Sequence, residues 1–288
     1  MSNVSGETPT AGIPVGQLPS SVAVTPDGSH AYVTNAQSGS VSVIDLAMRT
    51  VSATIDMPPV QITGKSFSSP SAVAINPTGR HAYVVGLIDG GIRRIETATN
   101  TLDPCKIEGH IGIGFPGGFA ISSDGRLGYA ADQSMGGLRV IDLANNTATE
   151  KWIMLNDSAP RAVAITPDGR SLYTTTFGCS VVVVDTGSGN VVGHDIIIGC
   201  DPAGVDVTRD GRRLLVVNAT EIIDDTVSTI SVINTATNKV VGSEVSLGLP
   251  AGTTALGIAI IDDERDTCIT CWDKQSGLGT IRIIPTLT

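Results

Sequence analysis

One unit recurs along the whole chain. Residues Val22 to Asp45 read VAVTPDGSHAYVTNAQSGSVSVID, and Val73 to Glu96 read VAINPTGRHAYVVGLIDGGIRRIE. The frame returns at Phe119 to Asp142, Val163 to Asp185, Val205 to Asn234 and, eroded, Ile258 to Ile284. A unit this short cannot bury its apolar faces alone, so the copies must stack on one another. Each copy opens with an apolar run such as VAV or VAI, then turns at Pro-Asp-Gly or a close variant. The turn glycines Gly28, Gly79, Gly125, Gly169 and Gly211 stand 51, 46, 44 and 42 residues apart. Two more β-rich runs follow, then a polar turn such as Ala98-Thr99-Asn100 and a fourth run. Regularly spaced short strands with turn signals and no helical periodicity imply an all-β fold, and a period near ~45 residues selects a propeller.

The expectation is a six-bladed β-propeller of four-stranded antiparallel blades in one domain, residues 11–288, after a flexible tail at residues 1–10. The last unit stops after its third strand. The segment Ile13 to Pro19 resembles Ile197 to Pro202, the end of a fourth strand running into the next blade. The N-terminal strand should therefore complete blade six and remove two sheet edges.

Composition narrows the partners. The net charge is -10, with no Lys/Arg cluster to offset it, so nucleic acid is not expected. No apolar run approaches the ~20 residues of a membrane span. The first residues, MSNVSGETPTAG, carry no basic or apolar signal regions, which points to the cytoplasm; a signal segment upstream of Met1 would instead mean a periplasmic or secreted protein. Five cysteines follow no secreted-scaffold spacing and fit a reducing compartment. The expected state is a monomer or weak homodimer that binds a small molecule.

The Tyr32-Val33-Thr34-Asn35 strand end, the turn before it and the V-I-D strand after it resemble the YVTN family of β-propeller repeats. The resemblance covers nearly the whole chain, with blade six the weakest match. It implies a propeller; it does not carry a function.

Two turns of each unit, of the PDG and ATN types, are short and uniform, so the face they share reads as structural. The other face carries longer, irregular segments: Met57 to Pro70, Cys105 to Gly118, Lys151 to Pro160, Asn218 to Ser228 and Cys271 to Gly279. Function concentrates on such loops, so the mouth of the central channel on that face is the expected site. Second strands end there with Asn35, Gly86, Asp132, Thr176, Asn218 and Cys271. This mixed ring reads either as a polar ligand site or as residues that cap strand ends. Six-bladed gluconolactonase-like lactonases are similar in holding a divalent ion with Asn and acidic side chains. That similarity makes Asn35, Asp132 and Asn218 candidate ligands for calcium or magnesium; the alternative is no cofactor.

Asp206 stands where the other innermost strands carry Ala23, Ala74, Ala120, Ala164 and Ala259. It is a candidate general base, or a carboxylate satisfied by backbone N–H groups or by Arg161. Arg161 begins the innermost strand of blade four and could anchor an anionic group. His110, in the GHIGIGFPGG loop, and Asp132 complete the acid/base candidates. Trp152, Trp272, Phe115 and Phe177 lie in or near irregular loops, as pocket lining or as loop packing, and Thr176 joins them as a substrate-binding candidate. Cys268 and Cys271 read as core. Cys179 and Cys200 should meet on the irregular face beside blade four, where a metal or disulfide link is conceivable.

No Ser-His-Asp signature, phosphate loop or dinucleotide fingerprint is present. The reading is a small-molecule enzyme of lyase, isomerase/cyclase or hydrolase type, working by acid/base chemistry at the channel mouth. The alternative is a non-catalytic propeller that binds a protein or peptide on its irregular face.

Overall fold

In the computed structural model, residues 12–62, 65–86, 91–107, 117–156, 158–222, 225–261 and 266–285 are described. His110, Phe115 and the expected N-terminal tail lie outside them. The described residues form six blades, each a four-stranded antiparallel meander; the fourth strand of blades four and five is split in two. The innermost strands are Pro19–Val24, Pro70–Ile75, Phe119–Ile121, Pro160–Ile165, Pro202–Val207 and Thr253–Ile260. No helix among the described residues is long and apolar enough to cross a membrane.

The ring closes as the sequence implies. Ile13–Val15 pairs with Gly279–Pro285, the third strand of blade six, in the register Ile13↔Ile281 and Val15↔Gly279. The first strand of the chain is thus the outermost strand of the last blade. The junction is tight: a Cβ on Gly279 would lie 1.9 Å from the carbonyl oxygen of Gly16.

The core is divided among the blade interfaces. The described residues form six apolar clusters, each shared by two neighbouring blades. Tyr83 and Ile92 meet Phe119 and Ile141 between blades two and three, for example. Both faces of a blade pack on neighbours, so second and third strands such as Ser180–Asp185 are buried nearly throughout. That is why these strands read as apolar runs rather than as alternating patterns.

Recurrent polar residues fix the turns. Asp27, Asp124, Asp168 and Asp210 each accept a hydroxyl from the Thr or Ser two residues before and a backbone N–H from two residues after. Asp45, Asp142 and Asp185, at the ends of third strands, cap the next turn by accepting N–H groups. These are Asx turns. The tyrosines latch blades together. The Tyr32 O–H donates to Asn100 Oδ1 of the next blade at 2.6 Å, and Tyr173 repeats this with Asn238 at 2.8 Å. Both asparagines are left-handed, at φ 55° and 52°.

The irregular face departs from expectation in two places. The segment Asn218 to Ser228 continues a long hairpin, with paired residues out to Ile222↔Asp225. Within Met57 to Pro70, Val60–Ile62 pairs with Lys65–Phe67 as a small hairpin of its own. The residues there carry β propensity that simple loop length does not reveal.

Candidate functional site

The innermost strands enclose a channel with a cavity of about 490 Å³, within the range of small-molecule sites. Its walls are built from small residues, among them Ala74, Ala120, Ala164, Gly204 and Ala259. Small side chains leave strand edges accessible, so backbone polar groups shape much of the wall. Arg161 and Gln133 belong to the lining at the mouth on the irregular face, with Leu18 and Gly117.

Arg161 is the organised group of that mouth. Its Nη1 donates to Asp201 Oδ1 and, at 3.4 Å, to the carbonyl of Pro202. Its guanidinium carbon sits 5.3 Å from the centroid of the Phe177 ring. Nε and Nη2 make no hydrogen bond among the described residues, and a guanidinium has five N–H donors in a fixed fork. The clamp comes from three elements: the inner strand of blade four, its second-to-third turn and the connection into blade five. Asp201 holds a left-handed backbone, at φ 52°. Its role was not visible in the sequence; its place directly before an inner-strand Pro was the available signal.

Asp206 lines the same channel nearer the opposite end. It lies four residues beyond Pro202, roughly 13 Å at about 3.3 Å per residue. Asp206 and Arg161 therefore do not pair. Instead Oδ1 accepts the N–H of Val207 at 2.8 Å and Oδ2 accepts the N–H of Ile260 at 2.8 Å. The carboxylate ties the inner strands of blades five and six.

The ring of second-strand ends turns away from the channel. Asn35 and Asn218 are 0% exposed. Asn35 Nδ2 donates to Ser40 and Ser42, and Asn218 Nδ2 to Thr229 and Ser231, all on their own third strands. Asp132, at 1% exposure, accepts from the Ser134 N–H and O–H and the Met135 N–H in its own turn. Thr176 hydrogen-bonds Ser180 across its turn. Asn35 Oδ1, Asp132 Oδ2 and Asn218 Oδ1 are buried without a hydrogen-bond partner among the described residues. They belong to alternate blades and do not converge. No group of three His, Cys, Asp or Glu side chains among the described residues is placed to hold a metal ion. The residues read as cation ligands thus do not fit a shared divalent ion.

The aromatic candidates scatter. Trp152 is on the outermost strand of blade three, stacked under Arg139 at 5.2 Å. Trp272 lies in the second strand of blade six, outside the channel lining. Phe177 is 54% exposed and reaches the mouth through Arg161. Phe119 lines the channel and was not singled out from the sequence. Cys268 and Cys271 are both buried, and burial pushes each thiol up to about 12.

A family model described as lactonase, 7-bladed beta-propeller, matches residues 7–166, more than half of the chain. The chain belongs to this lactonase propeller family. Its ring nevertheless has six blades among the described residues. A solved structure, the hydrazine synthase of Kuenenia stuttgartiensis, matches with a TM-score of 0.66 at 22% identity, over 93% of this chain and 80% of that one. At that identity the likeness shows the shared propeller fold. A search of curated proteins returns no match. Of the polar residues singled out from the sequence, Arg161 and Asp206 line the channel of this lactonase-family propeller and the ring of strand-end amides does not.

Proposed function

We propose that this lactonase-family propeller is a small-molecule hydrolase of the lactonase type, acting on a lactone that carries an anionic group. The observation that carries the reading is Arg161, held at the rim of a 490 Å³ channel with two nitrogens that meet no acceptor among the described residues. Opening a lactone requires water, a proton acceptor and stabilisation of the carbonyl oxygen as it gains charge. In this reading Arg161 anchors the anionic group at the mouth. Asp206 takes the proton from water, because its carboxylate lines the channel in which the lactone would sit. Backbone N–H groups of the inner strands stabilise the oxyanion. The repeats are of the YVTN type, supported by tyrosines that latch successive blades.

The test is turnover of carboxylate-bearing and neutral lactones, followed by proton release. The expected result is preference for the anionic series, with Arg161→Ala raising its KM about 10–100-fold, which is about 1.4 kcal/mol per decade, while neutral lactones change little. An anionic-series KM left unchanged by Arg161→Ala, or raised equally for the neutral lactones, overturns the anchor. A second reading, a non-catalytic propeller that binds the same anionic ligands, is favoured by Asp206 lying four residues along its strand from Pro202, whose carbonyl Arg161 contacts, so that the two groups do not converge. Tight binding without turnover decides for it.

A further inference from the structure

Two cysteines meet beside the Arg161 clamp. Cys179 lies in the second-to-third turn of blade four, and Cys200 in the connection from blade four to blade five. The backbone brings them together: Ser180 pairs with Ile197, and the Ile198 N–H donates to the Cys179 carbonyl at 3.0 Å. The thiols are near enough that Cys179 holds the Cys200 thiol above the usual range. Cys200 is exposed and Cys179 half-buried, so a reagent can reach the pair. Cys179 has a left-handed backbone, at φ 56°, a conformation uncommon for a side chain without a local cap and kept only where surroundings enforce it. Cys268 and Cys271 form no such site: they are buried.

We propose that Cys179 and Cys200 are a redox-active dithiol, a thiol-modification site that takes a low-molecular-weight disulfide and closes to an intramolecular disulfide. The site stands apart from the lactonase reading, since its chemistry needs no ligand in the channel. In the proposed step Cys179 is the attacking sulfur and Cys200 the resolving one, because the neighbouring Cys179 thiol, with Glu244 and Asp201 behind it, holds Cys200 above the usual thiol range. The Cys179 thiolate attacks one sulfur of oxidised glutathione, breaking its S–S bond and releasing one glutathione thiolate. Cys200 then loses its proton and attacks the Cys179 sulfur, forming the new S–S bond and releasing the second glutathione. The protein loses two hydrogens, and one glutathione disulfide becomes two glutathiones.

The location gives the bond a consequence. Phe177, two residues before Cys179, stacks on Arg161; Asp201, the residue after Cys200, pairs with it. A Cys179–Cys200 bond joins the two arms of the clamp and fixes the Arg161 guanidinium over the mouth.

The experiment treats the whole protein with oxidised glutathione, digests it without reduction and maps the products by mass. The expected product is a peptide pair linked through Cys179 and Cys200, about 2 Da lighter than the two free peptides. Cys200→Ser is expected to stop at a glutathione adduct on Cys179, because the resolving thiol is gone. Hydrogen exchange of the oxidised protein should slow several-fold at residues 177–180 and 199–202 relative to the reduced protein. Glutathione adducts on both cysteines with no link, or a link to any other cysteine, overturn the dithiol. A link without slower exchange in those segments overturns the clamp.

Discussion

Asp206→Asn tests whether the channel carboxylate is a structural tie between blades. Asp206 accepts two backbone N–H groups on two oxygens, both at 2.8 Å, one from its own strand and one from the next blade. Hydrogen bonds to a charged group contribute about 1.5–3 kcal/mol each. The side chain is half-buried, so water reaches the channel and offsets part of the loss. Asparagine keeps one acceptor but sets an NH₂ donor against the second N–H. The substitution should therefore remove about 2–4 kcal/mol, and Asp206→Ala a similar amount. For a domain of this size, 1 kcal/mol moves Tm by about 2–4 °C, so a fall of roughly 5–15 °C is expected. Urea unfolding followed by far-ultraviolet circular dichroism, with calorimetry, measures both. An Asn variant within about 0.5 kcal/mol of the parent would refute the reasoning, for then neither amide depends on the carboxylate. An Asn variant of parental stability that is inactive on lactones would show that the role of the carboxylate is chemical.

Three further outcomes follow from the same geometry. Tyr32→Phe and Tyr173→Phe should each lose about 1 kcal/mol in urea unfolding, and the double variant about the sum, because the latches lie at separate blade interfaces. Gly279→Ala should destabilise by about 3 kcal/mol or more and open the N-terminal strand to limited proteolysis, since its Cβ meets the Gly16 carbonyl oxygen at 1.9 Å. Acid should unfold the ring early. Hydrogen bonds from Thr25 and Ser29 hold Asp27 near 2, against 3.8 ordinarily, and Asp124, Asp142, Asp168, Asp185, Asp210 and Asp273 are lowered by similar bonds. A lowered carboxylate contributes stability that is present above about pH 4 and lost as pH falls towards 2, so the urea midpoint should drop over that window. A midpoint flat from about pH 5 to 2 would remove the Asx turns as contributors.

The chain by itself determined the blade count, the strand order and the closing strand. Those follow from local periodicity: a turn dipeptide every ~45 residues, apolar runs of strand length and an orphan strand at the start that matches the end of another unit. The PDG turns were legible for the same reason, as each aspartate finds its hydroxyl two residues before it; the tyrosine latches were not, since Asn100 lies 68 residues from Tyr32 in the next blade. Site geometry was decided only by the tertiary structure. Asn35 and Asn218 look inward in a list of strand ends, yet pairing register directs them at Ser42 and Ser231 of their own blades. Asp206 was marked out as an anomaly by the sequence, but its partner, Ile260, sits 54 residues away in the next blade. Arg161 was singled out without Asp201, 40 residues on, which clamps it. Stacking blades around a ring brings such residues together, and no spacing within a repeat encodes which side chains of two adjoining blades will meet.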